Sequence, residues 1–276
     1  MRFTVAYHGE PFAGLARNEG VDTVAGRLED AFSLITGGTV RLVGAGRTDR
    51  GVHAIGQVIS VDLPVEFPLD LLCRRVNKLC APYISVREPA IVDDRFDARH
   101  SARFRAYRYL VWNSDIPSPL LGDRSWHVPY HLDVAAMAAG AIEMVGDHDF
   151  SSMCRRPPDI GPEVPLRRTV LSAAWSGTAG DLLEFDIRGL AFCHQMVRSI
   201  VGLCVDIGRG RRSAADVAGI LAARNRAAAP PVAPAHGLCL MEVGYESQNP
   251  EVEPTTGRRS TPVEWSDHLP GRGAAR

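Results

Sequence analysis

The sequence predicts an α+β protein made of two tandem ferredoxin-like halves, each with the element order β-α-β-β-α-β. Two observations carry this prediction. Apolar residues alternate along several short segments, as in half-buried strands, and recur every three or four residues along others, as in amphipathic helices. The order of these segments then repeats once along the chain. Joined edge to edge, the halves would form an extended, mainly antiparallel sheet with helices on one side and a central cleft.

The first half is predicted to span residues 1–99. Its elements in order are a strand from Phe3 to Tyr7, a helix from Val24 to Ile35, strands at 39–43 and 58–63, a helix around 72–79 and a strand from Tyr83 to Arg87. In the first helix Val24, Leu28 and Ala31 recur at helical spacing. The two β-branched runs enclose a loop rich in glycine.

The second half, residues 100–246, repeats this order. Its elements are a strand from Ala106 to Trp112, a helix from Asp133 to Val145, strands at 169–175 and 182–187, helices at 192–205 and 213–223, and a strand from Leu238 to Gly244. After about Tyr245 the chain is rich in Pro, Thr, Gly and Arg without periodicity. That composition predicts a disordered tail over residues 247–276.

The composition is that of a soluble globular protein. Of 276 residues, 45% are hydrophobic and 23% are charged. No apolar run approaches the length that spans a bilayer, so we expect no membrane contact and a cytoplasmic location. The six cysteines are scattered without a C-x-x-C pair. This pattern favours buried, reduced thiols over a zinc site, and no metal is expected.

The positive charge is almost entirely arginine. The net charge is −1, which by itself argues against a nucleic-acid partner, and Lys78 is the single lysine. Arginine presents a planar fork that binds phosphate in a bidentate manner, so a focused basic cleft could bind RNA on a neutral protein. Sheets of the predicted topology are used for RNA elsewhere. Solvated surface clusters are the alternative.

The loop from Gly44 to Ala54 has the features of an active-site loop. It places Asp49 between Arg47 and Arg50, with glycines that allow sharp turns, between two predicted strands. A dinucleotide-binding loop is excluded, because Asp49 stands where a third glycine belongs and a strand follows instead of a helix. A surface hairpin with an exposed ion pair remains an alternative for the loop taken alone.

Two later segments carry further candidate residues. Tyr107 and Tyr109 share one face of a predicted strand, and one of them could stack on an extruded base. Arg198 lies in a largely uncharged helical stretch and, if buried, needs a carboxylate partner. Asp49 is the natural candidate. His194 is expected to make a helix-end hydrogen bond.

These segments together resemble the tRNA pseudouridine synthase A (TruA) family. The stretch from Gly46 to Ala54 is similar to the signature loop of that family. The further matches, in family order over about residues 1–245, are Phe96-Asp97-Ala98-Arg99, Tyr107-Arg108-Tyr109, Met196-Val197-Arg198-Ser199-Ile200-Val201-Gly202 and Gly237-Leu238. The tandem fold predicted above agrees with the family's fold.

The resemblance implies an isomerase, an intramolecular transferase that converts uridine to pseudouridine at positions 38, 39 and 40 of the tRNA anticodon stem-loop. It implies that Asp49 is the catalytic nucleophile, that Arg198 is its ion-pair partner, that Tyr107 stacks on the target uracil and that Arg47 helps to extrude it. It further implies a homodimer, with each tRNA spanning both subunits, and no cofactor or metal.

The chain departs from the family pattern near its start. The usual aspartate and tryptophan of the first motif are replaced by His8 and Leu15, and Cys193 stands where an aliphatic residue is usual. Whether Asp49 attacks the sugar or removes a proton from C2′ stays open at this point. Two other functions also stay open: an RNA-binding protein without activity, and an enzyme for another RNA or a smaller uridine compound.

Overall fold

The computed structural model is a mixed α+β fold in which residues 1–63, 67–177 and 181–246 are described, with ten strands and five α-helices among them. Residues 1–245 form one compact unit. The disordered tail predicted over 247–276 lies outside the described residues.

The strands and helices are as follows: β1 (Arg2–Tyr7), α1 (Val24–Thr36), β2 (Leu42–Gly44), β3 (His53–Val61), α2 (Leu69–Cys80), β4 (Ile84–Ala90), β5 (Ala102–Trp112), β6 (Trp126–His127), α3 (Val134–Ile142), β7 (Gly146–Asp149), β8 (Arg167–Gly177), β9 (Leu182–Gly189), α4 (Met196–Gly208), α5 (Asp216–Ala222) and β10 (Leu238–Tyr245).

The strands form one continuous sheet in the order β4-β1-β3-β10-β5-β9-β8-β7, with β2 paired to β3 and β6 paired to β5. Within the described residues, neighbouring strands run antiparallel except in the pairs β3–β10 and β5–β6. In the parallel pair β3–β10, His53 lies opposite Cys239 and Ala54 opposite Leu240. The residues that directly follow the glycine-rich loop are therefore at the middle of the sheet.

Helix α1 shows how the predicted periodicity becomes packing. Thr23 caps its start by accepting a hydrogen bond from the backbone N–H of Gly26 at 3.1 Å. Leu28 and Phe32 are fully buried, and the ring centroid of Phe32 lies 5.3 Å from that of Phe3 on β1. Burying one such aromatic side chain contributes about 1.5–3 kcal/mol. This apolar stripe fixes α1 against the sheet.

The strand predicted at 39–43 begins later than expected, at Leu42. The backbone N–H of Val40 donates to Ser33 Oγ in α1 at 2.9 Å. This N–H is therefore bonded to the helix and not to a neighbouring strand. The strands β6 and β7 were not predicted, because they have two and four residues, too few to display alternation.

The helix predicted at 192–205 begins at Met196. Gln195 has a φ of +66°, a left-handed conformation that an α-helix cannot contain, so it stops the helix from extending toward its N-terminal side. Because of this turn, residues 190–195 form a separate segment between β9 and α4.

The prediction of reduced cysteines is wrong for one pair. Cys154 and Cys193 form a disulfide with their Cα atoms 5.8 Å apart. The fold brings together two segments that are 39 residues apart in sequence, and such a contact leaves no local spacing pattern. The free thiols among the described residues are Cys73, Cys80, Cys204 and Cys239.

Gly56 permits the close approach of β3 to β10. A Cβ atom at this position would overlap the backbone carbonyl of Met241 on β10. We expect Gly56→Ala to lower the free energy of unfolding by about 1–3 kcal/mol, because the paired backbones must separate. Urea denaturation measures this loss.

Gly219 provides the matched control. It lies in α5, where an added Cβ would meet nothing within 4 Å. Gly219→Ala should therefore raise stability by about 0.5–1 kcal/mol through helix propensity. Equal effects of the two substitutions would contradict the packing argument.

Candidate active site

The glycine-rich loop of residues 45–52 connects β2 to β3, as the sequence predicts. Gly51 has a φ of +81°, in the left-handed region that side chains disfavour. Thr48 is held from two sides. Its hydroxyl lies 2.7 Å from the hydroxyl of Tyr7, and its carbonyl accepts the backbone N–H of Leu15 at 3.2 Å. The backbone that presents the following carboxylate residue is thereby fixed.

That residue, Asp49, is paired with Arg198. Nη1 of Arg198 donates to Asp49 Oδ2 at 2.8 Å, and Nε donates to the carbonyl of Ala233 at 2.8 Å. The side chains of Asp49 and Arg198 are 23% and 14% exposed. The structure thus brings together the two residues that the sequence pairs, from the loop before β3 and the first turn of α4. An ion pair of this kind holds Oδ2 of the carboxylate in place.

His194 makes a contact that the sequence interpretation missed. Its Nε2 lies 3.2 Å from Asp49 Oδ1, the oxygen that Arg198 does not contact. The expected helix-end role is replaced by a contact with the carboxylate. No local pattern could reveal it, since the turn at Gln195 sets the direction of the preceding segment.

Tyr107 lies on β5 and is 8% exposed. Its ring meets that of Phe192 edge-on, with centroids 5.4 Å apart. Burial raises the pKa of Tyr107 to about 12, and the charge of Asp49 adds to this rise. The phenol is therefore neutral at physiological pH. Tyr109, on the same face, is fully buried and donates to the carbonyl of Pro234 at 2.8 Å, as a structural residue does.

The fourth predicted site residue, Arg47, is exposed on the same loop as Asp49. A different arginine, Arg105, connects the backbone segments around the site. Arg105 is buried and donates to the carbonyls of Ala45 and Arg99, each at 2.8 Å, and of Leu190 at 2.9 Å. It connects the start of the loop to the segment that carries Phe192. Its place on the same strand face as Tyr107 is the signal that could have identified it.

Two neighbouring histidines, His53 and His8, lie next to the end of the loop. His53 accepts the backbone N–H of Gly9 at Nδ1, at 3.1 Å, and its Nε2 lies 3.0 Å from the carbonyl of Asp123. The ring of His8 lies 4.5 Å from that of His53, and its Nε2 is 3.0 Å from Asp123 Oδ2. His8, which replaces the usual aspartate, thus has a carboxylate partner of its own.

The environment of His53 makes stability depend on pH. Burial, and then the neighbouring His8, lowers its pKa from 6.5 to about 4. As the pH falls, the unfolded chain therefore binds a proton on this histidine before the folded chain does. The contribution of neutral His53 to the free energy of unfolding is complete above pH 6.5 and is lost as the pH falls toward 4. Between about pH 7 and about pH 5 we expect a loss of about 2 kcal/mol from this group.

Urea denaturation at the two pH values measures this loss. His53→Gln should flatten the pH dependence by about that amount. The control His131→Gln, at an exposed histidine just before α3, should leave it unchanged. An unaltered pH slope in His53→Gln would contradict the assignment.

The described residues contain no group of three or more His, Cys, Asp and Glu side chains placed to hold a metal ion. None of the helices in this described part is long and apolar enough to cross a membrane. The chemistry that the site offers is that of a carboxylate, its cationic partner, an imidazole and a buried phenol.

Comparison with known proteins finds similarity over most of the chain. A family model described as tRNA pseudouridine synthase matches residues 141–246. The chain is 43% identical over 236 residues to tRNA pseudouridine synthase A of Halalkalibacterium halodurans, covering 85% of this chain and 88% of the relative. It is 41% identical over 249 residues to that of Frankia casuarinae, covering 89% of each chain.

The corresponding protein of Bacillus subtilis is 36% identical over 249 residues, covering 90% of this chain and 99% of the relative. Among solved structures, a chain of the "Crystal Structure of a Cbf5-Nop10-Gar1 Complex" has a TM-score of 0.36 and 13% identity, covering 88% of this chain and 50% of that chain. A similarity of that size supports no conclusion about this chain.

Proposed function

Because the chain belongs to the tRNA pseudouridine synthase A family, we propose that it isomerises uridine to pseudouridine at positions 38, 39 and 40 of the tRNA anticodon stem-loop. Family membership makes it an isomerase that acts on tRNA. The three positions are the finer part of the proposal, and the resemblance of the loop from Gly46 to Ala54 supports them. The single observation that carries the proposal is the Asp49 carboxylate, held 2.8 Å from Arg198 near the buried Tyr107.

The reaction breaks the N1–C1′ bond of uridine, rotates the uracil and rejoins it to the sugar through C5. In the last step C5 loses its proton and N1 gains one. Substrate and product are isomers, so the overall reaction transfers no electrons, and the proposal includes no cofactor or metal. Asp49 acts either as the nucleophile at the sugar or as the base at C2′, and both routes require the ionised carboxylate. Arg198 supplies the compensating charge and holds Oδ2 of the carboxylate.

Tyr107 and Arg47 have the substrate-binding roles in this proposal. The target base must leave the helical stack, which costs a few kcal/mol. Stacking on the ring of Tyr107 returns about 1–3 kcal/mol of this cost, and the edge-on contact with Phe192 keeps that ring in place. The exposed Arg47 helps to extrude the base from the same loop as Asp49.

The proposed architecture has two ferredoxin-like halves, residues 1–99 and 100–246, around a central RNA-binding cleft with helices on one side of the sheet. The strand order supports the repeat, since β4-β1-β3-β2 in the first half corresponds to β10-β5-β9-β8 in the second. The proposal also includes a cytoplasmic homodimer in which each tRNA spans both subunits. Light scattering with and without tRNA tests the dimer.

Carbodiimide treatment and primer extension on an unmodified tRNA transcript test the activity. Transcripts with a single uridine at position 38, 39 or 40 should each give a stop after incubation with the protein. A matched transcript with cytidine at all three positions should give none in the anticodon stem-loop.

Two results would contradict the proposal. Tight tRNA binding without any pseudouridine would favour an RNA-binding protein. Pseudouridine formed only at other positions, in another RNA or in free uridine monophosphate would agree with the proposed isomerisation but contradict the proposed substrate.

A further inference from the structure

We infer that His194 is a positioning residue, which orients the Asp49 carboxylate by donating from Nε2 to Oδ1 in the complex with tRNA. This inference rests on the proposed function, because Asp49 must be the reacting carboxylate. The observation behind it is that the two oxygens of Asp49 have different partners. Oδ2 is 2.8 Å from Arg198 and Oδ1 is 3.2 Å from His194 Nε2.

Two partners, one on each oxygen, restrict the carboxylate of Asp49 more than one partner does. The carboxylate of an aspartate rotates easily about its Cβ–Cγ bond, because the energy profile of this torsion is broad. A donor on Oδ2 alone leaves Oδ1 free to swing about that contact. A second group at Oδ1 sets the plane of the carboxylate and so the direction of its remaining lone pairs. Reaction at carbon requires that direction to be correct, since small misplacements of a reacting atom cost large factors in rate.

The backbone of His194 is held in place from several sides. The N–H of Arg155 donates to the carbonyl of His194 at 2.9 Å. The preceding residue, Cys193, is joined to Cys154 by the disulfide. The following residue, Gln195, has the left-handed φ of +66° that few residues other than glycine adopt. Backbone strain of this kind is concentrated at functional sites, and here it directly follows the residue whose imidazole contacts Asp49.

His194 also lies on the open side of the carboxylate. Its side chain is 44% exposed, whereas that of Arg198 is 14% exposed. We expect a uridine bound at Asp49 to lie next to this exposed imidazole, and bound tRNA to remove water from the contact. Polar contacts at catalytic sites are often long or poorly aligned without substrate and tighten in the complex. The distance of 3.2 Å between His194 Nε2 and Asp49 Oδ1 is short enough for a small movement in the complex to complete a hydrogen bond.

Steady-state kinetics on tRNA with two substitutions test this role. His194→Ala should lower kcat about ten-fold and leave KM for tRNA unchanged, because the lost interaction acts on the reacting group and not on tRNA affinity. His194→Gln should restore most of kcat, since its side-chain amide offers an N–H close to the place of Nε2. The control His148→Ala, on β7 at the edge of the sheet, should have wild-type constants. Thermal unfolding should give the same Tm for the two His194 variants and wild type.

Three results would overturn the role. They are wild-type kcat in His194→Ala, a change in KM alone, or failure of His194→Gln to exceed His194→Ala. These three results differ from a failure of the proposed function. In that case the wild-type protein itself would form no pseudouridine, and the role of His194 would be contradicted as well.

Discussion

We expect Asp49→Asn to lower kcat for pseudouridine formation by a factor on the order of 10⁴ and to leave the affinity for tRNA nearly intact. An amide has nearly the shape of the carboxylate but is neither a nucleophile at carbon nor a base. The loop backbone is fixed by Thr48 and Gly51 independently of this side chain. Most tRNA affinity comes from phosphate contacts, which the substitution does not touch.

Single-turnover pseudouridine mapping and filter binding measure the two quantities on the same preparation. Asp147→Asn is the matched control, because Asp147 forms an exposed ion pair with Arg167 on the neighbouring strand and should keep full activity. An Asp49→Asn protein with more than about a tenth of the wild-type rate would show that another group reacts with the nucleoside.

Arg198→Ala has the second largest effect, on both catalysis and stability. It leaves the half-buried Asp49 with no cationic guanidinium and the carbonyl of Ala233 without its side-chain donor. We expect a loss of about 10²–10³-fold in kcat, and a decrease of about 2 kcal/mol in the free energy of unfolding. Arg198→Lys should be intermediate, since one ammonium keeps the charge but lacks the fork that serves both partners.

Urea denaturation gives the stability change, and kcat is measured at a temperature where both variants are folded. Arg167→Ala removes an exposed partner and should cost less than about 1 kcal/mol, with no loss of activity. Equal stability losses in the two alanine variants would contradict the view that the Asp49–Arg198 pair is energetically distinct from a surface pair.

Local patterns predicted the elements that depend on local sequence. Helix α1 follows the spacing of its apolar residues, and the loop between β2 and β3 follows its glycines and the β-branched runs around it. The pairing of Asp49 with Arg198 could be predicted because a buried arginine requires a counter-charge and the carboxylate of the glycine-rich loop was the natural candidate. The helix and the loop are thus constraints of single segments, whereas the ion pair follows from a general rule about buried charge.

The remainder of the site comes from contacts between distant segments. Arg105 could be read as one of many surface arginines until the three carbonyls around it were in place. The His194–Asp49 contact joins residues far apart in the sequence, and the Cys154–Cys193 bond depends on where two segments meet. Only Arg105 has a signal in the sequence, its place two residues before Tyr107 on one strand face, and in all three cases tertiary packing determines the partner.

The place of β10 in the sheet has a consequence for how the protein is made. This strand, Leu238–Tyr245, lies between β3 and β5 although it is the last strand of the described chain. A ribosome that has not yet reached Leu238 has already synthesised Asp49, Tyr107 and Arg198, but not the strand that joins their halves of the sheet. Assembly of the site therefore has to wait until β10 has been synthesised and can pair with β3 and β5.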